Sequence, residues 1–97
     1  MAASPDIVHR DVEARFEARL EGHRGELRYV RREVEGRSVM VIPSVVVDRA
    51  IEGRGVAGAL TRAALEWARA EGLRVDPVCP YVDAWLRRHP EFAGLRA

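Results

Sequence analysis

The chain has 97 residues, of which 47% are hydrophobic and 32% are charged, and its formal net charge is +1. This length predicts a single domain over residues 1–97, because domains usually contain roughly 100–200 residues. The composition excludes a disordered chain, and the balanced charge gives no indication of a nucleic-acid partner. Every one of the sixteen cationic side chains is an arginine, so the chain supplies no lysine as an amine nucleophile.

The cysteine and histidine content bounds the redox compartment and the metal chemistry. Cys79 is the single cysteine, so no disulfide can form within the chain, and we expect a reducing compartment, the cytoplasm. The longest apolar run, Val39–Val47, is interrupted by a proline and is far too short to span a bilayer, so no membrane partner is expected. The histidines, His9, His23 and His89, are scattered, and we predict no metal site.

The first half of the chain has the pattern of three β-strands joined by short turns. Apolar and charged residues alternate over Val12–Leu20, although the charge spacing also allows a helix there. The alternation recurs between Leu27 and Val34. After a short turn, Val39–Val47 is a nearly continuous β-branched run, which is typical of a strand buried on both faces. Pro43 cannot complete a central ladder, so this strand is expected to bend or bulge there.

The second half predicts two helices around a short strand. Apolar residues at spacings of three and four give one face to a helix that follows a glycine cluster and ends at Gly72. That face consists of Val56, Leu60, Ala63, Ala64 and Trp67. Leu73–Val75 reads as a short strand, and Pro80 opens a last helix, Tyr81–His89, which stops before Pro90. The predicted order is β-β-β-α-β-α, an α+β fold with one mixed sheet.

Gly53, Gly55 and Gly58 surround the start of the first helix and leave its backbone amides accessible at the positive end of the helix dipole. This geometry binds phosphate. The spacing also spells G-x-G-x-x-G, with Asp76 about where a ribose-binding acid belongs (roughly 20 residues on), so a dinucleotide site is one alternative. Against that alternative, the mostly polar Asp48–Glu52 separates the glycines from the preceding strand. A further alternative gives the glycines only a packing role.

The segment Glu52–Leu60, placed after a bent valine strand and before an amphipathic helix, resembles the acyl-CoA signature of GNAT-type N-acetyltransferases. In that family the loop reads Arg or Gln, any two residues, Gly, any residue, then Gly or Ala; Gly55 and Ala57 match it. Glu52 stands where Arg or Gln is usual, and its charge would oppose a pyrophosphate unless an arginine offsets it. The arginines available for this are Arg49, Arg54 and Arg62.

Two further segments, Cys79–Val82 and Arg87–Phe92, look like the small single-domain branch of GNAT-like proteins. The resemblance covers roughly the whole chain and implies a compact GNAT-like fold. It also implies acetyl-CoA as co-substrate and transfer of the acetyl group to an amine acceptor. The alternative is a non-catalytic module that binds acyl-CoA or another protein, because the predicted elements lack the pair of helices that GNAT enzymes place between their first two strands.

The resemblance also implies where the cofactor lies. GNAT domains splay two parallel strands apart, and the pantetheine arm enters the gap and bonds to the backbone of the strand before the glycines. Here that strand is Val45–Val47, its partner is Leu73–Val78, and the pyrophosphate would lie on the loop amides. The implied cofactor-binding residues are Val45, Val46, Val47, Gly53, Arg54, Gly55, Val56, Ala57 and Gly58.

Cys79 and Tyr81 are the candidate catalytic residues. Many GNAT enzymes use a tyrosine of the last helix to protonate the leaving thiolate, and Tyr81 is the closest candidate. Cys79 lies at a helix start, where a thiolate would face unpaired amides, and the small branch has a cysteine regarded as a nucleophile or an acid. Packing roles remain open for both. Arg87–His89 could bind an acidic acceptor or the phosphates. The possible general bases are Glu26, Asp76 and Asp83.

Overall fold

A computed structural model describes residues 4–97, which form one five-stranded sheet in the order β1-β2-β3-β4-β5 and two α-helices. The elements are β1 Asp6–Arg10, β2 Arg15–Leu20, β3 His23–Val34, β4 Arg37–Val47, α1 Val56–Ala70, β5 Arg74–Asp76 and α2 Pro80–Arg88. Two 3-10 segments, Arg49–Ile51 and Pro90–Leu95, follow β4 and α2. Strands β1 to β4 form an antiparallel meander and β5 adds in parallel, so the expected α+β fold with a mixed sheet is confirmed.

The sheet contains one strand more than the sequence predicted. β1 precedes the expected first strand and pairs antiparallel with β2, which begins at Arg15 because Asp11–Ala14 forms the connecting turn. The helical alternative for Val12–Leu20 is therefore wrong. The alternation in β1 is misleading, because the apolar Val8 is exposed while the polar His9 is half-buried.

The valine-rich strand β4 is buried on both faces in its first half, but the burial predicted from its composition does not extend to its end. Val39 is 5% exposed, Met40 and Ile42 are fully buried, and Val46 is 67% exposed on the outer face. Both helices contribute to the same hydrophobic core as the inward side chains of the sheet. Among residues 4–97 no helix covers the outer face of the sheet, so alternate side chains of β4 face outward.

A bulge at Pro43 separates β4 from its parallel neighbour. The register between β3 and β4 shifts at Tyr29, where two residues of β4 lie opposite one of β3, as expected for a bulge. β5 pairs with β4 only over Val39–Val41 and ends at Asp76. Beyond that point the strands diverge, and one edge of Val45–Val47 has no strand beside it within residues 4–97.

α1 lays its apolar side on the sheet, as its residue spacing predicts. On the predicted apolar face, Val56, Leu60 and Ala64 are buried, while Ala63 and Trp67 are half-buried. The residues expected on the outer side are exposed, namely Arg62, Glu66 and Arg69. Neither α1 nor any other helix within residues 4–97 is long and apolar enough to cross a membrane.

The C-terminal part of α1 packs against an aromatic cluster formed by His9, Phe16, Tyr29 and Trp67. His9 stacks on Phe16 with ring centroids 4.0 Å apart, and Trp67 meets His9 edge-on at 4.5 Å. The His9 Nε2 atom lies 2.6 Å from the Tyr29 hydroxyl oxygen. Burial lowers the pKa of His9 below 6.5 despite the nearby Asp11 carboxylate. Burial and Asp11 together raise the pKa of Tyr29 to about 12.

Candidate functional site

A cleft of about 230 Å³ lies where the N-terminus of α1 meets β4 and α2. Its lining residues come from the end of β4, the following 3-10 segment, the start of α1 and the first turn of α2. They are Val47, Ile51, Glu52, Gly53, Gly55, Val56, Ala57, Gly58 and Tyr81. The cleft thus brings together most of the residues that the sequence assigned to a cofactor site.

The glycine loop, Gly53–Gly58, has the open backbone expected of a phosphate site. Gly53 and Gly55 adopt left-handed φ angles of 76° and 80°, and a Cβ atom built on either would have no heavy atom within 4 Å. Gly55 is the N-cap of α1, and no side chain among residues 4–97 caps this helix. The amides of the first turn have no carbonyl partner within the helix and remain available to an anion.

Gly58 has a different role from the other two glycines. It lies within α1, and a Cβ at this position would be 3.4 Å from the Tyr81 hydroxyl oxygen and 3.7 Å from Trp85 Nε1. Its missing side chain therefore allows α2 to approach the first turn of α1. The packing role considered for all three glycines applies to Gly58, while Gly53 and Gly55 face open space.

The Arg54 side chain is directed away from the cleft. Its guanidinium donates two hydrogen bonds to the carboxylate of Glu21, at 3.2 and 3.0 Å. Glu21 lies in the turn between β2 and β3 and has a φ of 50°. The hydrogen bonds and the opposite charges lower the pKa of Glu21 and raise that of Arg54. This ion pair holds the glycine loop to the β2–β3 hairpin and leaves the Arg54 backbone for the predicted phosphate contact.

Glu52 lines the cleft, and two of the three arginines expected to offset its charge are engaged elsewhere. Arg54 is paired with Glu21, and the guanidinium of Arg62 lies over the Trp85 ring at 5.4 Å. The third, Arg49, is exposed in the 3-10 segment. The backbone donors of the loop therefore fit a pyrophosphate, whereas the carboxylate of Glu52 opposes one.

Of the three valines proposed to contact the cofactor, two point inward and one points outward. Val45 and Val47 pack against the core, and Val47 also lines the cleft, whereas Val46 is exposed on the opposite face of the sheet. The partner strand expected over Leu73–Val78 is shorter, because β5 comprises Arg74–Asp76 and pairs upstream of these valines. What the three valines share is a backbone edge that no strand of residues 4–97 pairs with, so their backbone groups are what they can offer together to a cofactor.

Cys79 marks the point where the two parallel strands separate. It is the N-cap of α2, with Pro80 in the first turn as predicted, and the helix ends one residue earlier than expected, at Arg88. The Cys79 backbone N–H donates to the Ile42 carbonyl at 2.8 Å and so bridges the strands. Its side chain is 6% exposed and belongs to the hydrophobic core, beside the cleft but outside its lining.

Tyr81 is the candidate catalytic residue that reaches the cleft. It is the second residue of α2, is 37% exposed and lines the cleft opposite the glycine loop. Its hydroxyl group approaches Gly58 at the start of α1. A phenol in this position can donate a proton to a group held in the cleft.

The segment Arg87–Phe92 is explained mainly by packing. His89 stacks on Trp85 with centroids 3.6 Å apart, and its Nδ1 lies 2.7 Å from the Trp85 carbonyl oxygen. Phe92 is 1% exposed. Arg87 pairs with Asp83 at 3.1 Å. The ring of Phe92 also lies beneath the guanidinium of Arg69, at 4.6 Å, so the C-terminal 3-10 segment packs against α1.

The three candidate bases have different surroundings. Asp83 is held by Arg87 and, at 2.8 Å, by Arg96. Glu26 is held by Arg28 on the outer face of the sheet. Asp76 is exposed at the end of β5, next to the point where β4 and β5 diverge. Among them, Asp76 has the environment of an accessible carboxylate near the strand separation.

The connection before the glycine loop argues against the dinucleotide alternative. A dinucleotide site of that type requires a parallel βαβ unit in which the glycine turn follows the strand directly. Strands β4 and β5 are parallel and α1 connects them, but the 3-10 segment Arg49–Ile51 separates β4 from the glycine loop. Within residues 4–97 the remaining strand pairs are antiparallel, so a second unit of this kind is missing.

Gly25 and Ile51 shape the site although neither was predicted to do so. The pattern predicted the second strand between Leu27 and Val34, but β3 begins at His23, so Gly25 lies in the strand beneath α1. A Cβ there would lie 3.0 Å from Val56 Cγ1 and 3.3 Å from Val47 Cγ2, so its absence keeps the loop end of α1 close to the sheet. A glycine inside an alternating strand is the available signal for such a close approach. Ile51 is a single buried apolar residue in a polar segment and carries little periodic signal.

Two solved structures have a similar fold. A proposed acetyl transferase from Pyrococcus furiosus matches with a TM-score of 0.54 and 23% identity, over 77% of this chain and 56% of that one. An acetyltransferase from Trypanosoma brucei matches with a TM-score of 0.50 and 23% identity, over 91% and 66%. The chain thus spans less than two thirds of either protein. A comparison with curated proteins gave no match.

The family comparison agrees with the geometry of the site. Residues 15–95 match the family described as GCN5-related N-acetyl-transferase, a range that includes the glycine loop, Cys79 and both helices. This match confirms the family resemblance seen in Glu52–Leu60 and Cys79–Val82. The chain belongs to the GCN5-related N-acetyl-transferase family.

Proposed function

We propose that this protein binds acetyl-CoA at the cleft and transfers the acetyl group to a primary amine. The observation that carries the proposal is the uncapped N-terminus of α1, where Gly53 and Gly55 leave the amides open beside the free edge of β4. Phosphate groups bind at such helix ends because the amides and the helix dipole both favour an anion.

The cofactor would lie partly inside the cleft and partly along its rim. The cleft of about 230 Å³ is smaller than the roughly 300–1,000 Å³ of pockets that enclose whole ligands. We assign the pyrophosphate to the glycine loop and the pantetheine arm to the free backbone edge of Val45–Val47. That edge offers the hydrogen-bonding groups that β5 would otherwise occupy.

The transfer requires one bond to form and one to break. The amine nitrogen attacks the thioester carbonyl carbon, a C–N bond forms, and the C–S bond breaks. The amine loses one proton to a base or to water, and the departing thiolate gains one. Tyr81 is the group that we assign to this protonation, supported by its place in the cleft wall. Cys79 is the second candidate, supported by its position at the strand separation.

Acetyl-CoA titration combined with two variants tests these roles. We expect the parent protein to bind acetyl-CoA in calorimetry and to release free thiol in the presence of an amine. Tyr81→Phe should retain the affinity and lower kcat by roughly 100-fold or more, the size expected for loss of a general acid. Cys79→Ala serves as the matched comparison, since a packing role predicts a lower melting temperature with kcat preserved. Failure of the folded parent to bind acetyl-CoA would overturn the proposal.

A non-catalytic acyl-CoA-binding module is the second candidate function. Glu52 in the cleft and the four-residue turn Asp11–Ala14 favour it, because this turn leaves no helices between β1 and β2 to hold an acceptor. Acetyl-CoA binding without thiol release, for every amine tried, would favour this module over the enzyme.

A further inference from the structure

The outer face of the sheet carries ordered rows of like charge. Cross-strand pairing places Arg15 directly opposite Arg28 and, in the next row, Glu17 directly opposite Glu26. Like charges in directly opposed positions destabilise a sheet. Ion pairs between the rows offset this repulsion, because Arg15 lies 2.9 Å from Glu17 and 3.7 Å from Glu26. The face therefore presents alternating rows of arginines and carboxylates.

One carboxylate of this face is already neutralised within it. Glu17 is 5% exposed and lies 2.9 Å from a nitrogen of Arg15, 3.2 Å from Arg10 and 3.4 Å from Arg24. Burial alone would raise the pKa of Glu17, but the hydrogen bond from Arg10 and the three positive charges lower it below its usual value. Glu17 thus organises the arginines and offers little charge to a ligand.

A groove of about 460 Å³ opens at the end of this face that lies behind the cleft. Its lining residues are Arg24, Gly25, Glu26, Arg28, Val46 and Asp48. Val46 lines the groove while its neighbour Val47 lines the cleft, so the two cavities lie on opposite faces of the same β4 segment. The free edge of that segment, which β5 leaves uncovered, connects the two faces.

The groove presents both signs of charge in fixed positions. The Arg24 and Arg28 side chains are 53% and 64% exposed, and Glu26 lies between them along β3 and is ion-paired with both Arg28 and Arg15. Asp48 is fixed at the rim, where its Oδ2 accepts a hydrogen bond from the Arg24 backbone N–H at 2.9 Å. A diamine would be attracted by the two carboxylates but repelled by the two guanidinium groups, and for a dicarboxylate both signs are reversed. A molecule with one ammonium and one carboxylate satisfies both pairs.

We propose that this groove binds the acceptor, and that the acceptor is a small amino acid-like molecule. Its carboxylate binds Arg24 and Arg28, since guanidinium groups pair with carboxylates through short, charge-assisted hydrogen bonds. Its ammonium lies beside Glu26, over Val46 and toward the free edge of β4. The groove volume falls in the range of roughly 300–1,000 Å³ that suits small ligands rather than a folded partner. This inference rests on the proposed acetyl transfer and names the acceptor class of that same reaction.

Thiol release from acetyl-CoA, measured with the twenty standard amino acids and with the amine formed by decarboxylating each one, tests the acceptor class. We expect at least one amino acid to be acetylated, with a kcat/KM at least ten times that of its decarboxylated amine. The two members of such a pair differ only in the carboxylate, so the ratio reports on recognition by Arg24 and Arg28. Equal rates within every active pair, or activity with peptides alone, would overturn the inference.

A charge-reversal variant with a control on the same strand locates the site. Arg28→Glu should raise the KM for the active amino acid at least tenfold and leave the Kd for acetyl-CoA unchanged. Arg32→Ala is the control, because Arg32 is exposed on β3 four residues beyond Arg28 and lies outside the groove lining. An unchanged KM in folded Arg28→Glu would contradict the assignment.

A binding measurement separates failure of this inference from failure of the proposed function. Amide resonances of Gly25 and Val46 should shift when the active amino acid is added without acetyl-CoA. If no amino acid is active, all twenty are titrated, and absence of shifts with each of them overturns the groove assignment. If the folded protein does not bind acetyl-CoA but these resonances still shift with an amino acid, the proposed function is overturned and the groove assignment stands.

Discussion

The two ends of α1 are built in opposite ways. At the N-terminus, Gly55 caps the helix without a side chain, and the amides of the first turn face a cleft. At the C-terminal half, Trp67 is enclosed by the aromatic cluster and by the guanidinium of Arg31, 5.7 Å from its ring. The N-terminal end has backbone N–H groups without a partner within the helix, whereas the side chain at the C-terminal end packs against other rings. The helix thus separates ligand binding from stability along its own axis.

This separation has a physical basis. With glycine as the N-cap, α1 forgoes only a few tenths of a kcal/mol relative to a capping side chain, so the open start costs little stability. Aromatic pairs contribute about 0.5–1.5 kcal/mol each beyond the area they bury. The aromatic cluster is therefore placed where it can support the helix without narrowing the cleft. Substitutions at the two ends should accordingly affect different measurements.

The largest expected effect is on ligand affinity at the open end. Gly55→Asp places a carboxylate at the cap of α1, where two like charges 4 Å apart repel by about 4 kcal/mol near a protein surface. We expect acetyl-CoA affinity, measured by calorimetry, to fall by at least about 100-fold, which corresponds to 2.7 kcal/mol. Gly55→Asn is the matched control, since asparagine caps helices as well as aspartate and also tolerates a left-handed φ. Equal affinities of the two variants would contradict the phosphate assignment.

At the packed end, the expected effect is on stability. Trp67→Ala should lower the free energy of unfolding by about 3 kcal/mol, near the lower limit for a buried aromatic side chain because Trp67 is only half-buried. Denaturant unfolding would measure this loss, and acetyl-CoA affinity at low temperature should stay within about twofold of the parent. Glu66→Ala, on the exposed side of the same turn, should change stability by less than about 0.5 kcal/mol. A large loss of affinity in folded Trp67→Ala would show that the ends are coupled.

Gly25 lies beneath the N-terminal turns of α1, and its substitution should affect both stability and affinity moderately. The Cβ of Gly25→Ala would lie 3.0 Å from Val56 Cγ1 and 3.2 Å from Leu60 Cδ1, so the first turns of α1 must shift outward. Such overpacking costs about 1–3 kcal/mol in unfolding experiments. The shift should also weaken acetyl-CoA binding, because the displaced turn carries the glycine loop.

Gly94→Ala is the control for Gly25→Ala, because a Cβ there meets no heavy atom within 4 Å. We expect both stability and affinity to remain at the parent values in this control. A Gly25→Ala protein that loses stability but keeps its affinity would show that the loop position does not depend on the sheet contact.

The smallest expected effect is the pH dependence of the aromatic cluster. The folded pKa of His9 is below its unfolded value of 6.5, so its contribution to stability is complete above 6.5 and is lost as the pH falls toward the folded pKa. Tyr29 behaves in the opposite sense, with stability complete below pH 10 and lost as the pH rises toward about 12. Unfolding free energies measured against pH would check both limbs. His9→Phe should flatten the acid limb between pH 6.5 and the onset of carboxylate titration, and an unchanged limb would contradict the assignment.

The sequence predicted the parts of the fold that have strong local signals. Strict apolar spacing identified α1, Pro80 identified the start of α2, and Pro43 identified the bulge. β1 was not predicted because its apolar Val8 faces outward and its polar His9 faces inward. His9 is stabilised there by stacking on Phe16 of the next strand, and such a contact between strands is not visible in the sequence. The exposure of Val46 also depends on tertiary structure, since composition cannot show that a sheet has helices on one face only.

The same distinction holds for the candidate site. The glycine loop was identified because glycine spacing is visible along the chain. The direction of the Arg54 side chain was not, because its partner Glu21 lies in another hairpin and is brought close only by folding. The contrast between Tyr81, which lines the cleft, and Cys79, which is buried behind it, likewise depends on how α2 docks.

The order of the strands has a consequence for folding kinetics. The meander of β1 to β4 closes through short turns between neighbours in sequence, whereas Val39–Val41 can pair with β5 only after α1 has crossed the sheet. Closing a longer loop costs more chain entropy, so non-local pairings of this kind form slowly. We expect the β4–β5 contact to be among the last formed and the first to open in transient unfolding. A ligand bound across the diverging strands would then stabilise the β4–β5 contact against local opening. It should slow amide hydrogen exchange in β5 and leave the exchange rates of the hairpins unchanged.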